Sequence, residues 1–527
     1  MRVLLMSTVV IAALLGLAPA APCADLEGGP LHEPFEREDL LTTWRNMANE
    51  QVMFPLEMAN IAVRIGPHRQ LFLDNYLIAK AEGVTRQVHQ PKRYEGNPIV
   101  RPFEWEAGEK ENRAVAGHVM QFETAPRFRM WYQSYPDWHT LPTGQRIRFA
   151  VSYAVSDDGM TWRKPKLNLH EIKRSRHPSI VVPYGLMHGL FFEPDEPDPQ
   201  KRFKALICVE RKNPVVREGY YLHTSPDGIH WKGDLERCIL PSLTRSYSVP
   251  QNGVGDTARF WWDPIRRKYV GDVKFLVAHL RSSGRMESDD LIHWSRATPT
   301  FSGRRGTTQI YGHRGFPYQG MYVGMRWIYV LKRSKHHSTN VELDCSRDGR
   351  VWTRVGTDQP FMAFNPNRDT WDAGKMRPIS MLEVGDELWI YYHGKPTDVE
   401  MSNPAFPDAG TTGNCVGLAK LPRDRFASIN GGADGGILLT RPMAFTGRAL
   451  HVNADVAAAG ALTVAVLDHR GAVLPGYSDE ECKPVQGNGI DLSVSWKTRA
   501  DLAGLAGSDV RLQFRLRNAK LFSFWFE

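Results

Sequence analysis

At 527 residues the chain is longer than one ordinary domain, and 42% apolar with 24% charged residues is a globular composition with material for a large core. Fifteen Trp suit many short aromatic strands better than a helical bundle. The formal charge of +8 is spread along the chain with no basic run or nucleic-acid motif, which argues against nucleic acid and for an anionic small or polymeric substrate.

In chain order, the first segment reads as a secretion signal. Met1 and Arg2 give a positive start, residues 3–17 are apolar, and Ala18-Pro19-Ala20 is a small-residue cleavage site. A membrane span is the competing reading, but the run is short of the ~20 residues that cross a bilayer. A secreted or periplasmic protein without a membrane span is therefore expected, with residues 1–20 removed. Residues 25–66 read as an arm, with apolar positions between 36 and 58 spaced for an irregular amphipathic helix. Gln70 to Ile78 reads as a strand that helps to close the ring of sheet units formed by the central part of the chain.

Beyond that strand one motif organises the chain. Ser156-Asp157-Asp158-Gly159-Met160-Thr161-Trp162 returns as Ser225 to Trp231, Ser288 to Trp294 and Ser346 to Trp352, roughly every 60 residues. In this pattern Ser and Asp oxygens accept turn N–H groups, Gly supplies a positive φ and Trp buries a ring beside the turn. Upstream of each turn lies an apolar strand, a charged turn and an aromatic strand. Examples are His118 to Phe122 with Phe128 to Tyr132, and Ala258 to Trp262 with Lys268 to Val273. The fourth copy, around Met321 to Tyr329, is the least regular, and a fifth stands at 379–392, followed by Asp424-Arg425-Phe426 in the place of the turn. The expected fold is all-β: a five-bladed β-propeller over residues 67–435 followed by a β-sandwich over 436–527, where Trp is sparse and strands are evenly spaced.

A propeller gathers the entrances of its innermost strands into one funnel. Those entrances are read as His118, His188, Asp256, Tyr318 with Gln319, and Arg377, with Trp371-Asp372 preceding the fifth blade and Trp105-Glu106 preceding the first. Asp256 and Asp372 form the candidate catalytic pair, with Glu106 in reserve. The alternative for both Asp residues is an N–H-capping carboxylate at a strand start. His118, His188, Arg281, Arg377, Trp105 and Trp371 are candidates for holding substrate, through aromatic platforms and paired Arg donors.

These turns, the five-unit count, Asn97-Pro98-Ile99 before the first blade and the C-terminal sandwich resemble the five-bladed propeller glycoside hydrolases of the β-fructosidase and α-L-arabinofuranosidase superfamily, families 32 and 43. The turns also resemble a shortened sialidase Asp-box. The resemblance implies hydrolysis of a glycosidic bond of a polysaccharide or oligosaccharide by carboxylates in the funnel. Where that family has carboxylates in the first two blades, this chain has His118 and His188, and Asp256 stands at the third position, where the family has Glu.

Such hydrolysis asks for two carboxyl groups, ~5 Å apart for retention or roughly 6.5–9.5 Å for inversion. Two other readings stay open: a non-catalytic glycan-binding propeller, and a metal-dependent lyase using His118 and His188. The six Cys include no Cys-x-x-Cys, no metal site or cofactor is indicated, and one or two disulfides are allowed. The expected partner is a carbohydrate; the balance of Arg and His over carboxylate in the funnel suits an acidic one, the alternative being that Arg281 and Arg377 pair with Asp256 and Asp372 and hold the funnel together.

Overall fold

The computed structural model describes residues 61–527 apart from 103–113, 135–138, 141–145, 148, 173–174, 210–217, 242–253, 255–256, 278–279, 303–307, 332–336, 357–358, 364, 366–369 and 396–413. Residues 1–60, which carry the expected signal and most of the expected arm, lie outside the described residues.

The motif's chemistry is realised in all four turns. In the first, Gly159 N–H donates to Ser156 Oγ (2.8 Å), while Met160 and Thr161 N–H donate to Asp158 Oδ1 (2.8 and 2.7 Å). The Trp162 indole donates back to the Gly159 carbonyl (3.1 Å). Asp227, Asp290 and Asp348 repeat the double acceptance. The turn is also a staple between units. Tyr391 Oη donates to Gly159 O (2.9 Å), Trp131 Nε1 to Gly228 O (2.6 Å) and Arg285 Nη1 to Gly349 O (2.8 Å), so these turns dock on the preceding unit, the first on the fifth.

The third copy puts Leu291 where the others have Gly, with φ of 67°. That conformation costs a Leu about 1–2 kcal/mol, but its side chain is buried in a cluster with Tyr220, Phe260 and Trp294. Emptying such a site costs about 2–5 kcal/mol. The packing term wins, so Leu291→Gly is expected to destabilise the protein by about 1–3 kcal/mol in urea unfolding, despite restoring the motif.

Between the turns the chain folds into five antiparallel units. Their first strands are Ala114–Gln121, Leu186–Phe192, Ala258–Asp263, Thr308–Tyr318 and Lys375–Val384. Each pairs with the strand that comes next in the chain. The first strands touch one another in the cycle one, two, three, four, five, one. The result is a closed propeller-type ring. The outer strand of the fifth unit is Lys92–Arg93, paired with Lys420 and Ala419, so the N-terminal side of the chain completes the last unit.

Two expectations are corrected. Gln70–Leu71 does not join the ring but pairs with Phe524 and Ser523, because Phe72 and Leu77 bury their apolar side chains in the core beneath the C-terminal sheet. In the fourth unit Tyr318 and Gln319 do not open the first strand. Gln319 (φ 49°) and Gly320 (φ 71°) form the hairpin turn at its far end, before the second strand Met321–Leu331.

The last sheet has ten strands and draws on both ends of the chain: strands between Val63 and Val88 join those from Ala427 onward. Its long strands Leu450–Asp468 and Val510–Phe526 pair along most of their length, and an irregularity at residues 457–460 lets each run on as one strand. Asp424, buried at the seam, accepts from Tyr318 Oη (2.6 Å), Ser523 Oγ (2.7 Å) and Arg69 Nη1 (3.2 Å), tying ring to sheet. Asp74 plays the same part through a two-pronged bond from Arg347 (2.9 Å each). No disulfide forms among the described cysteines.

Candidate functional site in the ring channel

Register shifts interrupt the first strands of units one, two, four and five between Val115 and His118, Met187 and Gly189, Ile310 and Gly312, and Pro378 and Ser380. A bulge re-aims the residue at the shift, and His118, His188 and Tyr311 sit at these places. Arg259 and Arg314 come from the first strands of units three and four. Both act electrostatically on His118 of unit one. Unit one does not adjoin three or four in the ring, so this influence acts across the middle of the ring.

The side chains gathered there are cationic or basic, and buried. His118, His188 and Arg259 are buried. Burial first, then Arg314, Arg259 and His188, push the His118 imidazolium well below its ordinary range, and burial with Arg259 does the same to His188. Both rings are neutral at neutral pH. The His118 ring is hydrogen-bonded to the Met187 carbonyl, and since Nε2 has no partner the bond is made by Nδ1–H, leaving the buried Nε2 lone pair without a donor among the described residues. His188 Nδ1 lies 2.8 Å from the Tyr220 hydroxyl. Burial and Arg259 lower Arg314 to about 9 against the opposing pull of Asp272.

At the strand entrances of units three to five a second basic group surrounds two Tyr rings, Tyr311 and Tyr329, in edge contact at 4.5 Å. Arg377 covers Tyr311 at 4.2 Å and Lys274 lies 5.6 Å from the same ring. Arg281 and Lys375 approach Tyr329 at 5.7 and 5.5 Å, and Arg281 Nη1 donates to Gln309 Oε1 (2.6 Å). The two arginines singled out in the sequence therefore converge, on an aromatic pair the sequence did not mark.

Asp372 is placed differently from the other candidates. It is buried, and its Oδ2 accepts from Arg93 Nε (2.8 Å) and Tyr392 Oη (3.0 Å), its Oδ1 from Thr370 Oγ1 (3.2 Å). Trp371 beside it stacks on Tyr392 at 5.5 Å and fills the space over Gly394 and Gly417, where a Cβ would strike its ring. These contacts knit the fifth unit to its closing strand. Asp372→Asn is accordingly expected to lower stability by about 1–3 kcal/mol, because a buried acceptor loses the charge that holds the half-buried Arg93 guanidinium and the Tyr392 hydroxyl, as read by urea unfolding. Asp256, Glu106 and Trp105 lie outside the described residues; in sequence Asp256 is two residues before the strand Ala258–Asp263 that carries Arg259. Among the described residues no cluster of His, Cys, Asp and Glu is placed to hold a metal ion.

Arg259 and Arg314 were missed in the sequence. Arg259 sits in Ala-Arg-Phe-Trp-Trp, which reads as an apolar strand, and Arg314 was hidden by the misplaced strand of unit four. Alternation along Tyr311 to Phe316 was the available signal.

No family model matches the chain, and no curated protein matches it. Solved structures share its outline at low identity. One described as a glycoside hydrolase is 13% identical with a TM-score of 0.42, over 63% of this chain and 92% of that one. An N-acetylgalactosamine deacetylase from F. plautii is 15% identical with a TM-score of 0.41, over 64% and 96%. A β-1,2-mannobiose phosphorylase from Listeria innocua is 10% identical with a TM-score of 0.41, over 63% and 97%.

Proposed function

We propose that this chain is an exported glycan-active enzyme, a glycoside hydrolase whose substrate enters the ring channel. The observation that carries the reading is the convergence of His118, His188, Arg259 and Arg314 from four units on one buried channel, rimmed by Tyr311 and Tyr329. Aromatic faces and hydrogen-bonding bases are what a sugar ring requires. Hydrolysis needs carboxyl groups as well. With Asp372 engaged by Arg93 and Tyr392, Asp256 is the leading acid or base and Glu106 its partner.

A non-catalytic glycan-binding ring is the second reading, favoured by the absence of a free carboxylate among the described channel residues. Incubating the exported protein with a panel of oligosaccharides and tracking new reducing ends separates the two. Release of reducing ends supports the hydrolase; a ligand bound for days and recovered intact supports the binding ring.

A further inference from the structure

Arg314 occupies an unusual position. Its Nε and Nη1 are sealed from solvent with no hydrogen-bond partner among the described residues, and so is His118 Nε2 across the channel. Arg259 adds a second buried guanidinium close by. The carboxylate acting on Arg314 is Asp272, whose oxygens are already committed: Oδ2 accepts from Trp261 Nε1 (2.9 Å) and Gly315 N (3.1 Å), and Oδ1 lies 3.6 Å from His313 Nδ1. Two like charges in a buried site raise each other's cost, and an unmade hydrogen bond to a buried charged group raises it further. A fold tolerates that arrangement where a ligand supplies the missing charge.

We propose that Arg314, with Arg259 beside it and His118 Nε2 opposite, seats an oxyanion covalently carried by the sugar, the carboxylate of a uronic acid or a sulfate ester. This rests on the channel's being the glycan site and names its substrate class. An idle Arg314 donor, Nε–H or Nη1–H, takes an oxygen of the anion, and Arg259 balances the remaining charge. His118 Nε2, an acceptor, takes a hydroxyl donor of the same ring. The outer collar of Arg281, Arg377, Lys274 and Lys375 draws the anionic chain to the entrance.

The inference is tested by calorimetric titration and thermal shift with galacturonate oligomers, a sulfated monosaccharide, their neutral counterparts and inorganic phosphate. The wild type is expected to bind an acidic sugar, more weakly as salt rises. Arg314→Gln is expected to weaken that binding about ten- to a hundredfold while leaving the urea midpoint unchanged or higher, since a charge without a partner is removed. A merely structural Arg314 would lower the midpoint instead. Equal affinity for neutral sugars, phosphate alone binding as tightly as the acidic sugar, or undiminished binding by the variant would overturn the proposal. If Arg314→Gln does not fold, the four ligand arms on the wild type decide. Arg314-dependent binding of an acidic sugar without cleavage leaves this inference standing and removes the hydrolase; cleavage confined to neutral glycans does the reverse.

Discussion

Replacing Asp344 by Asn is expected to cost the fold about 3–5 kcal/mol, because it breaks a buried ionic chain between units three and four. His313 lies between two carboxylates, Nε2 3.3 Å from Asp344 Oδ1 and Nδ1 3.6 Å from Asp272 Oδ1, and Arg326 Nε donates to Asp344 Oδ2 at 3.0 Å. Burial alone would neutralise the imidazole, but Asp344 and Asp272 outweigh it and hold His313 at about 9. A base whose pKa is raised on folding stabilises fully below its unfolded value near 6.5 and loses that contribution as pH climbs through 9. The window carries on the order of 3 kcal/mol. His118, His188, His223 and His393 act with the opposite sign: burial depresses them, so the unfolded chain takes up protons below pH 6.5 that the fold refuses. Each costs up to about 1.4 kcal/mol per pH unit there. Stability should therefore peak near neutrality, falling steeply on the acid side and gently on the alkaline side. Urea unfolding across pH checks the curve, and His313→Gln should abolish the alkaline decline; a curve flat from pH 5 to 9 would contradict this account.

The largest expected effect on activity belongs to Asp256. If it is the acid or base of hydrolysis, Asp256→Asn should lower turnover about 10²–10⁴-fold with little change in unfolding midpoint. Steady-state kinetics on whichever oligosaccharide is cleaved, with Glu106→Gln and Asp372→Asn alongside, separates the roles. Asp372→Asn should lose stability, because its carboxylate is spent on Arg93 and Tyr392. A tenfold or smaller loss in Asp256→Asn would remove it from the chemistry.

The ring was legible in the sequence because its punctuation is local. Each Ser-x-Asp-(Gly)-x-x-Trp turn closes its hydrogen bonds within seven residues, so the pattern carries its own explanation. What failed to show depends on partners far along the chain. His313 and Arg314 interrupt what would otherwise read as an apolar strand, and they make sense only with Asp344, Asp272 and His118 in place. Asp372 and its partner Arg93 are 279 residues apart, so strand-start carboxylates with different fates look alike in sequence. Arg377 was marked by its place at a strand start and Arg281 only as a possible substrate holder, whereas the Tyr311 and Tyr329 pair between them depends on a bulge that nothing local announces.

The most direct test of the channel as the glycan site is a crystal structure of Asp256→Asn soaked with an acidic oligosaccharide. The sugar is expected inside the ring, its carboxylate or sulfate on Arg314, with His118 Nε2 accepting from a ring hydroxyl and an outer residue against Tyr311. A sugar found only on the C-terminal sheet or on the outer face of the ring, with the channel closed to it, would contradict the account.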